Sequence, residues 1–281
     1  MLSFEEIRNT HRPLAEALSE DSPEIELDRT ALLIAQQHCP DAEVGAYLNR
    51  IDEYACRARP LIANANTPEG KIAGINSVLF DQEGFFGNAE EYYDPRNSLL
   101  NHVLDRRTGV PITLSILYVS IARRLGVPIV GVGFPMHFLV KYEKDSGDLL
   151  IDPFNQGKIL TRADMDELLL KVYGAPVPLQ DTFTQPLPPR LILYRMLNNL
   201  KLVYLQNEDY PGAGTAVEQM LVVHTQMDDV RDRGLIYLHE RRWADAAEYL
   251  ARYLAEVPDA TDAEFVRAHL TEAHERKAQR N

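Results

Sequence analysis

The chain has 281 residues, 45% of them hydrophobic, and its 42 acidic against 29 basic side chains give a net charge of −13. That length leaves room for two domains, and the hydrophobic content is ordinary for folded proteins and excludes a disordered chain. The excess of negative charge opposes non-specific binding to nucleic acids and anionic membranes, so we expect neither among the partners of this protein.

Apolar residues recur at helical spacing through the first eighty residues and predict a helical segment there. One helix is expected near the N-terminus, a second over residues 27–38 and a third over residues 44–59. A fourth is expected after Thr67, because Thr is a favoured N-cap and Pro68 is tolerated in the first helical turn. These residues therefore predict helices that support a core further along the chain.

An aromatic, glycine-containing stretch at residues 81–95 predicts an irregular loop over that core. Polar side chains in and after it could hold a bound carboxylate or amide beside His137, and the candidate ligand-binding residues are Asn88, Asn97, Asn101, Arg106 and Thr113. The alternative is structural, with Asp94 or Asn97 capping the next helix and Arg96 in a salt bridge. The residue types alone leave both interpretations open.

Residues 111–125 predict a central helix. It begins at Pro111, which suits the first helical position because an N–H there would have no partner, and it ends before Gly126. Apolar residues cover most of its faces, which is typical of a helix buried in a domain core. Three strand-like runs follow, VPIVGVGF, MHFLVKYE and DLLIDPF, with turn residues between them. They predict an antiparallel sheet packed on this helix.

Two residues of the predicted sheet are candidate catalytic residues. His137 comes after the first strand-like run, and Asp152 ends the third. An imidazole oriented by a carboxylate is the base with which hydrolases activate a nucleophile. A single His beside apolar residues is as often a structural side chain, so the pattern supports a catalytic and a structural role about equally.

This order of helix, histidine and aspartate resembles the transglutaminase-like superfamily. Its helix starts with Gly-x-Cys, and matching that glycine to Gly109 puts Pro111 at the cysteine position. A closer resemblance, to the SirB family of bacterial transglutaminase-like proteins with a helical-repeat tail, rests on FGNAEEYYDPRNSLLNHVLDRRTGVPITLSILYVSIARRLGVPIVGVGFPMHFLV and LLIDPFNQGKIL. The resemblance implies an α+β, transglutaminase-like (papain-like) core. It also implies regulation of the expression of a neighbouring gene, and it implies no defined reaction.

The core lacks the thiol that this resemblance requires. A cysteine at a helix N-terminus is activated by the helix amides, whereas a proline has no reactive group. Cys39 and Cys56 precede the core among apolar neighbours, so we expect both to be small packing residues. The hydroxyls of Thr113 and Ser115 gain far less from the helix than a thiol would. The sequence therefore offers no clear nucleophile.

Two functions are consistent with these residues. The first, which we favour, is a pseudoenzyme: a non-catalytic scaffold for protein or small-ligand binding, in which His137 and Asp152 shape a pocket or bind a ligand. The second is an amide or ester hydrolase, or an acyl transferase, that uses His137 and Asp152 with an unexpected nucleophile or a water. Loss of activity on replacing His137 in a folded protein would support the second.

The C-terminal residues predict a second, all-α domain. Residues 161–174 predict a capped helix, and the proline-rich residues 175–189 predict a linker. Beyond them KLVYLQNEDY (201–210) and GLIYLHERRW (234–243) align at an offset of 33 residues. This offset resembles tetratricopeptide repeats, which are helical hairpins that bind peptides or pack onto partners. Residues 261–276 predict the capping helix of the array.

The chain is thus divided into a transglutaminase-like domain over residues 1–174, a linker over residues 175–189 and helical repeats over residues 190–281. Within the first domain, residues 1–80 form the helical segment and residues 81–174 form the core. We expect a protein or peptide partner on the repeats and a small ligand near His137. A tail that docks on the core or dimerises is the alternative. The sequence does not indicate the oligomeric state.

Other functional classes lack their motifs. The chain has no Gly-Lys-Thr/Ser nucleotide loop and no His-x-x-x-His or Cys-x-x-Cys pair, so we expect neither a cofactor nor a metal. No apolar run approaches the roughly 18 residues of a membrane-spanning helix. The N-terminus MLSFEEIRNTHR lacks the basic and apolar regions of a signal peptide and predicts a cytoplasmic protein.

Overall fold

The computed structural model describes residues 4–19, 25–144 and 147–280. Its contacts divide the chain into two units, which we call the core unit, Glu24–Met196, and the repeat unit, Met1–Pro23 with Leu197–Asn281. These units differ from the predicted division, because the N-terminal residues group with the repeats and not with the core. None of the described helices is long and apolar enough to cross a membrane.

Helices dominate both units, and a small antiparallel sheet lies in the core unit. The α-helices of the described residues are α1 (Phe4–Thr10), α2 (Arg12–Ala17), α3 (Leu27–His38), α4 (Val44–Ile62), α5 (Pro68–Asn76), α6 (Leu100–Arg106), α7 (Pro111–Leu125), α8 (Arg162–Tyr173), α9 (Pro189–Gln206), α10 (Tyr210–Val223), α11 (Met227–His239), α12 (Trp243–Glu256) and α13 (Ala263–Arg280). The strands are β1 (Phe86–Gly87), β2 (Thr108–Gly109), β3 (Ile129–Val132), β4 (Leu139–Tyr142), β5 (Leu149–Asp152) and β6 (Lys158–Ile159).

The central helix α7 has the predicted bounds. Gly126 follows it at φ +68°, a left-handed conformation that glycine adopts without a steric cost, and it ends the helix. Leu117, Tyr118 and Ile121 are fully buried, as expected for a helix covered on most faces. The predicted cap of α5 is also present, since the Thr67 hydroxyl accepts a hydrogen bond from the Gly70 amide at 3.1 Å.

The predicted antiparallel sheet is confirmed, with strand order β3-β4-β5-β6. In register, Val140 of β4 lies opposite Gly131 of β3 and Ile151 of β5. Strand β6 was not predicted, because a two-residue strand carries no measurable alternation. His137 lies in the turn before β4 and not within a strand.

The proline-rich residues 175–189 pack on the core unit. Leu187 donates its amide to the carbonyl of Gly131 at 2.8 Å, and the rings of Phe183 and Phe134 meet edge-on at 6.4 Å. These contacts place the stretch along the edge strand β3, where residues without an N–H are tolerated. These residues thus belong to the core unit, and the boundary between the two units follows Met196 and does not lie within the predicted linker.

The loop over residues 81–95 is less irregular than predicted. Its β1 pairs in parallel with β2, and the amides of Phe86 and Asn88 donate to the carbonyls of Arg107 and Gly109 at 3.0 Å each. A π-helical turn over Ser77–Gln82 precedes it. Backbone pairing thus fixes this segment beside the start of α7.

The repeat unit consists of helical hairpins. Helix α12 begins 33 residues after α10, which agrees with the offset in the sequence. The capping helix α13 extends four residues beyond the predicted end at residue 276. The N-terminal helices α1 and α2 pack on α10, and they bury Ile7 and Leu14. Burial of these apolar side chains explains why the first residues group with the repeats.

Candidate active site

His137 is held by a fixed turn between β3 and β4. Its backbone amide donates to the carbonyl of Phe134 at 3.1 Å. Arg195, in α9, donates to the carbonyls of Phe134 and His137 at 2.9 and 2.6 Å. Met136, directly before the histidine, adopts φ +49° and is 82% exposed. A non-glycine residue in the left-handed region is uncommon, and the arginine clamp helps to retain it here.

Asp152 ends β5 as a fully buried carboxylate with both oxygens in use. Oδ2 accepts a hydrogen bond from His137 Nε2 at 2.9 Å and from the Asn155 amide at 2.6 Å. Oδ1 accepts from the backbone amides of Phe154 and Asn155 at 3.0 and 3.3 Å. Burial alone would raise the pKa of Asp152, but the hydrogen bonds from His137 and Asn155 outweigh it and lower that pKa below its ordinary value.

The other ring nitrogen of His137, Nδ1, forms no hydrogen bond within the described residues. The Thr113 hydroxyl donates to the carbonyl of Asn97 at 2.8 Å, and the Ser115 hydroxyl lies 3.5 Å from the carbonyl of Phe138. Both hydroxyls thus face backbone oxygens and not the imidazole. Pro111 is buried at the first position of α7. In the described ranges, a base with its orienting carboxylate is therefore present without a nucleophile at hydrogen-bonding distance.

Four of the five candidate ligand-binding residues meet around the buried Asn97. Its Oδ1 accepts from Asn88 Nδ2 at 3.2 Å and from Arg106 at 3.3 Å, and its Nδ2 donates to the carbonyl of Glu91 at 2.6 Å. The Thr113 hydroxyl donates to its carbonyl. Asn101 is buried outside this network, and its Oδ1 has no partner among the described residues. The polar contacts of these four residues go to one another, to the backbone and, for Arg106, to the Asp94 carboxylate, and not to His137.

The polar residues before α6 have the contacts of the structural alternative. Asp94 Oδ1 accepts the backbone amide of Arg96 at 2.9 Å and so caps the 3₁₀ turn Pro95–Ser98. The Asp94 carboxylate also pairs with the guanidinium groups of Arg96 and Arg106 at 2.7 and 3.0 Å. This network fixes the loop against α6 and α7.

Aromatic rings connect that loop to the histidine. Phe154 meets His137 edge-on, with ring centres 6.0 Å apart, and Tyr92 meets the same phenylalanine at 6.5 Å. A Cβ atom at Gly87 would overlap the Phe154 ring, so only glycine allows β1 to approach this closely. The loop aromatics thus lie near the His137 site.

Comparison with known proteins identifies both parts of the chain. Residues 45–198 match the model of the transglutaminase-like superfamily. The chain belongs to the transglutaminase-like superfamily. Residues 200–271 match a tetratricopeptide repeat model, which confirms the predicted repeats.

Its bacterial relatives are named UPF0162 proteins. The UPF0162 protein of Xylella fastidiosa (strain 9a5c) is 38% identical over 92% of this chain and 94% of its own length. The UPF0162 protein of Pseudomonas aeruginosa is 32% identical over 63% of this chain and 64% of its own length. Human F-box only protein 21 is 44% identical over 35% of this chain and 17% of its own length.

The transglutaminase-like core holds two site residues that the sequence did not reveal, Asn155 bonded to Asp152 and Arg195 bonded to the turn of His137. Arg195 lies 58 positions after His137 in α9, and no local pattern connects the two. Spacing along the chain does not encode such a long-range clamp, because the clamp depends on how α9 packs beside the turn. Among the described residues, no three His, Cys, Asp or Glu side chains are placed to hold a metal ion.

Proposed function

We propose that this transglutaminase-like protein is a non-catalytic scaffold. In this proposal the repeats bind a protein or peptide partner, and the His137–Asp152 pair shapes a small-ligand pocket without performing chemistry. The observation that carries it is the environment of His137 Nδ1, which has no thiol or hydroxyl at hydrogen-bonding distance among the described residues. A Pro at position 111 removes the nucleophile that the superfamily pattern requires.

The hydrogen bonds of Asp152 support a structural role for the pair. One buried carboxylate accepts hydrogen bonds from an imidazole, an amide side chain and two backbone amides. These donors join the turn before β4 to the segment after β5. In the same way, we assign Asn88, Asn97, Arg106 and Thr113 to the support of the loop, since their polar groups bond to one another, to the backbone and to the Asp94 carboxylate.

A notch on the repeat unit offers a place for a partner side chain. It has a volume of about 270 Å³, and its lining residues are Leu235, Leu238, His239, Trp243, Phe265, His269 and Glu272. Phe265 is 53% exposed at its edge. Aromatic residues at the edge of a concave surface that also carries polar groups are typical anchors of peptide binding. We propose that the notch takes an aromatic or aliphatic side chain of an extended or helical peptide segment.

Peptide selection on the purified full-length protein tests the scaffold. A random-peptide library is selected on the immobilised protein, and the Kd of an enriched synthetic peptide is then measured by fluorescence anisotropy. We expect apolar anchor residues in the enriched peptides and a loss of about tenfold or more in affinity for Phe265→Ala. Tyr173→Ala, at an exposed aromatic of the core unit, is the matched control and leaves binding unchanged. Equal binding by Phe265→Ala would contradict the proposed notch.

We also propose that the protein is cytoplasmic. As its resemblance to the SirB family implies, we propose in addition that it regulates the expression of a neighbouring gene. With a net charge of −13, such regulation would act through a bound protein and not through direct contact with DNA. Deletion of the gene should then change the transcript level of its neighbour, and a chain carrying Phe265→Ala should fail to restore it.

Hydrolysis by an activated water is the second candidate. It is favoured by one observation: within the described residues His137 Nδ1 is free to bind a water, and Asp152 orients the ring as in hydrolases. A panel of p-nitrophenyl esters and p-nitroanilide amides measures it. Turnover that disappears in a folded His137→Ala variant would establish hydrolysis and overturn the non-catalytic scaffold. Equal background rates in both proteins would exclude hydrolysis of these substrates.

A further inference from the structure

A second imidazole of the core unit faces a thiol. Cys39 directly follows α3, and His102 lies in α6, with Sγ of the cysteine 3.2 Å from Nε2 of the histidine. The expectation that Cys56 is a small packing residue is wrong, because Cys56 is exposed, whereas Cys39 is partly buried. The pair is 63 residues apart in sequence, which is why local pattern did not indicate it.

The imidazole of His102 can accept the thiol proton. Burial lowers the pKa of His102 below its ordinary value; Asp105 acts against this, while the cations of Arg96 and Arg106 lower it further. The ring is therefore neutral near pH 7, and in the tautomer with its proton on Nδ1 its Nε2 accepts a hydrogen bond from the thiol. Its Nδ1 forms no hydrogen bond within the described residues.

Charged groups around the pair come from three segments. Asp105 lies one helical turn after His102, but its carboxylate accepts hydrogen bonds from the Tyr47 hydroxyl at 2.8 Å and from Arg50 at 2.6 Å, both in α4. Asp94, before α6, also acts on His102 and is paired with Arg96 and Arg106. Among the described residues, the imidazole thus has a thiol partner but no carboxylate bonded to its other nitrogen.

We propose that Cys39 is a reactive thiol with His102 as its general base, and that this site forms mixed disulfides with low-molecular-weight disulfides. As the sulfur attacks, its proton passes to Nε2 of His102. The Cys39–sulfur bond forms while the disulfide bond of the reagent breaks. The departing thiolate takes the proton from His102 and leaves as a thiol. Cys39 is oxidised, and one half of the small disulfide is reduced.

Disulfide exchange suits this site better than acyl transfer. Acyl transfer develops charge on an oxygen and needs nearby N–H donors to stabilise it. The Cys39 amide already donates to the carbonyl of Ala35 at 2.9 Å, and the next residue, Pro40, has no N–H. Disulfide exchange develops its charge on sulfur and needs no such donors. The carbonyl end of α3 does not favour negative charge on sulfur, so the attack depends on proton transfer to His102.

The second cysteine provides a matched comparison within the same protein. Cys56 is exposed and forms no hydrogen bond within the described residues. Cys56→Ser leaves only Cys39, and Cys39→Ser leaves only Cys56. The rate constants for reaction with Ellman's reagent are measured for both full-length variants near neutral pH, and the adduct with oxidised glutathione is measured by mass spectrometry. We expect Cys39 to react about tenfold faster than Cys56 although it is less exposed.

Replacing His102 distinguishes proton transfer to its ring from a role in which the ring only shields the Cys39 sulfur from the reagent. In the Cys56→Ser background, His102→Gln keeps a polar side chain of similar size but removes the base, and we expect the rate to fall about tenfold. His102→Ala opens the site, and we expect its rate of reaction to fall by a similar factor. Far-ultraviolet circular dichroism monitors the fold of each variant. A rate that is unchanged or raised in both variants, or a Cys39 no faster than Cys56, would overturn the proposal.

Discussion

Two imidazoles of the core unit have opposite sets of partners among the described residues. His137 has a buried carboxylate at 2.9 Å and no nucleophile at its second nitrogen. His102 has a thiol at 3.2 Å and no carboxylate at its second nitrogen. Nucleophilic hydrolases combine both kinds of partner around one imidazole. Here the two sets are located on different elements of the same unit.

Burial explains what each site can do. The carboxylate of Asp152 is fully buried, so its hydrogen bonds are strong and costly to break, and the His137 site contributes to stability. Cys39 is partly exposed, so a reagent can reach its sulfur. If both proposals hold, an oriented imidazole stabilises the fold at the His137 site and activates a thiol at the His102 site, because the two rings face different groups.

Removal of the buried carboxylate has the largest expected effect. Asp152→Ala leaves the His137 ring, the Asn155 amide and two backbone amides without their acceptor, and we expect a loss of about 3–5 kcal/mol in the free energy of unfolding. Urea denaturation measures it. Asp166→Ala, which removes an exposed carboxylate 3.0 Å from Arg162, is the control and should cost less than about 0.5 kcal/mol. Similar losses in the two variants would contradict a structural role for the pair.

Restoring a thiol at the start of α7 tests whether the His137 site lacks only its nucleophile. In a chain with Cys39→Ser and Cys56→Ser, we expect Pro111→Cys to react with iodoacetamide roughly 10- to 100-fold faster than the same chain with His137→Ala added. The reason is that the imidazole would then meet a helix-terminal thiol. Rates independent of His137 would show that position 111 is not the nucleophile position, and the comparison of the two sites would fail.

Loss of the arginine clamp should have an intermediate effect. Arg195→Met keeps an apolar stem but removes the side-chain donor from both carbonyls, so the His137 carbonyl loses its partner and the Phe134 carbonyl keeps only the His137 amide. We expect a loss of about 2 kcal/mol in the free energy of unfolding. Thermal and urea unfolding measure it, with Arg162→Met at an exposed ion pair as the control. If the two variants were equally stable, the turn would not depend on Arg195.

The titration of His102 gives the smallest expected effect. Its pKa is lowered in the folded protein, so the unfolded chain binds the proton more readily, and stability falls as pH drops below the ordinary value of about 6.5. His102→Gln removes this contribution. Between neutral and mildly acidic pH the Tm of both proteins should fall. We expect the fall to be about 1 °C smaller in His102→Gln than in the unchanged protein. Parallel curves for the two proteins would show that His102 titrates alike in both states.

Much of the fold could be predicted because its signals are local. Helix α7 is marked by a proline at its start and a glycine after its end, and both act within one turn of the chain. The repeats are marked by an offset of 33 residues between equivalent helices. The order of His137 and Asp152 around three strands made them a candidate pair, and the structure places them in contact.

Other contacts could not be predicted because they join distant segments. The parallel pairing of β1 with β2 involves two residues on each side, too few for an alternating pattern. The network around Asn97 consists of residue types that suit a ligand site and a loop support equally well. Only the positions of their neighbours show that these groups bond to one another.

The sequence by itself determined the helices, the antiparallel sheet, the repeats and the absence of a cysteine at position 111, because these follow from residue type and periodicity along the chain. The tertiary structure decided which nitrogen of His137 is occupied, that Arg195 holds its turn, that the N-terminal helices join the repeats, and that Cys39 faces His102. The physical reason is that hydrogen bonds and burial act over a few ångströms in space, whatever the separation of the residues along the chain.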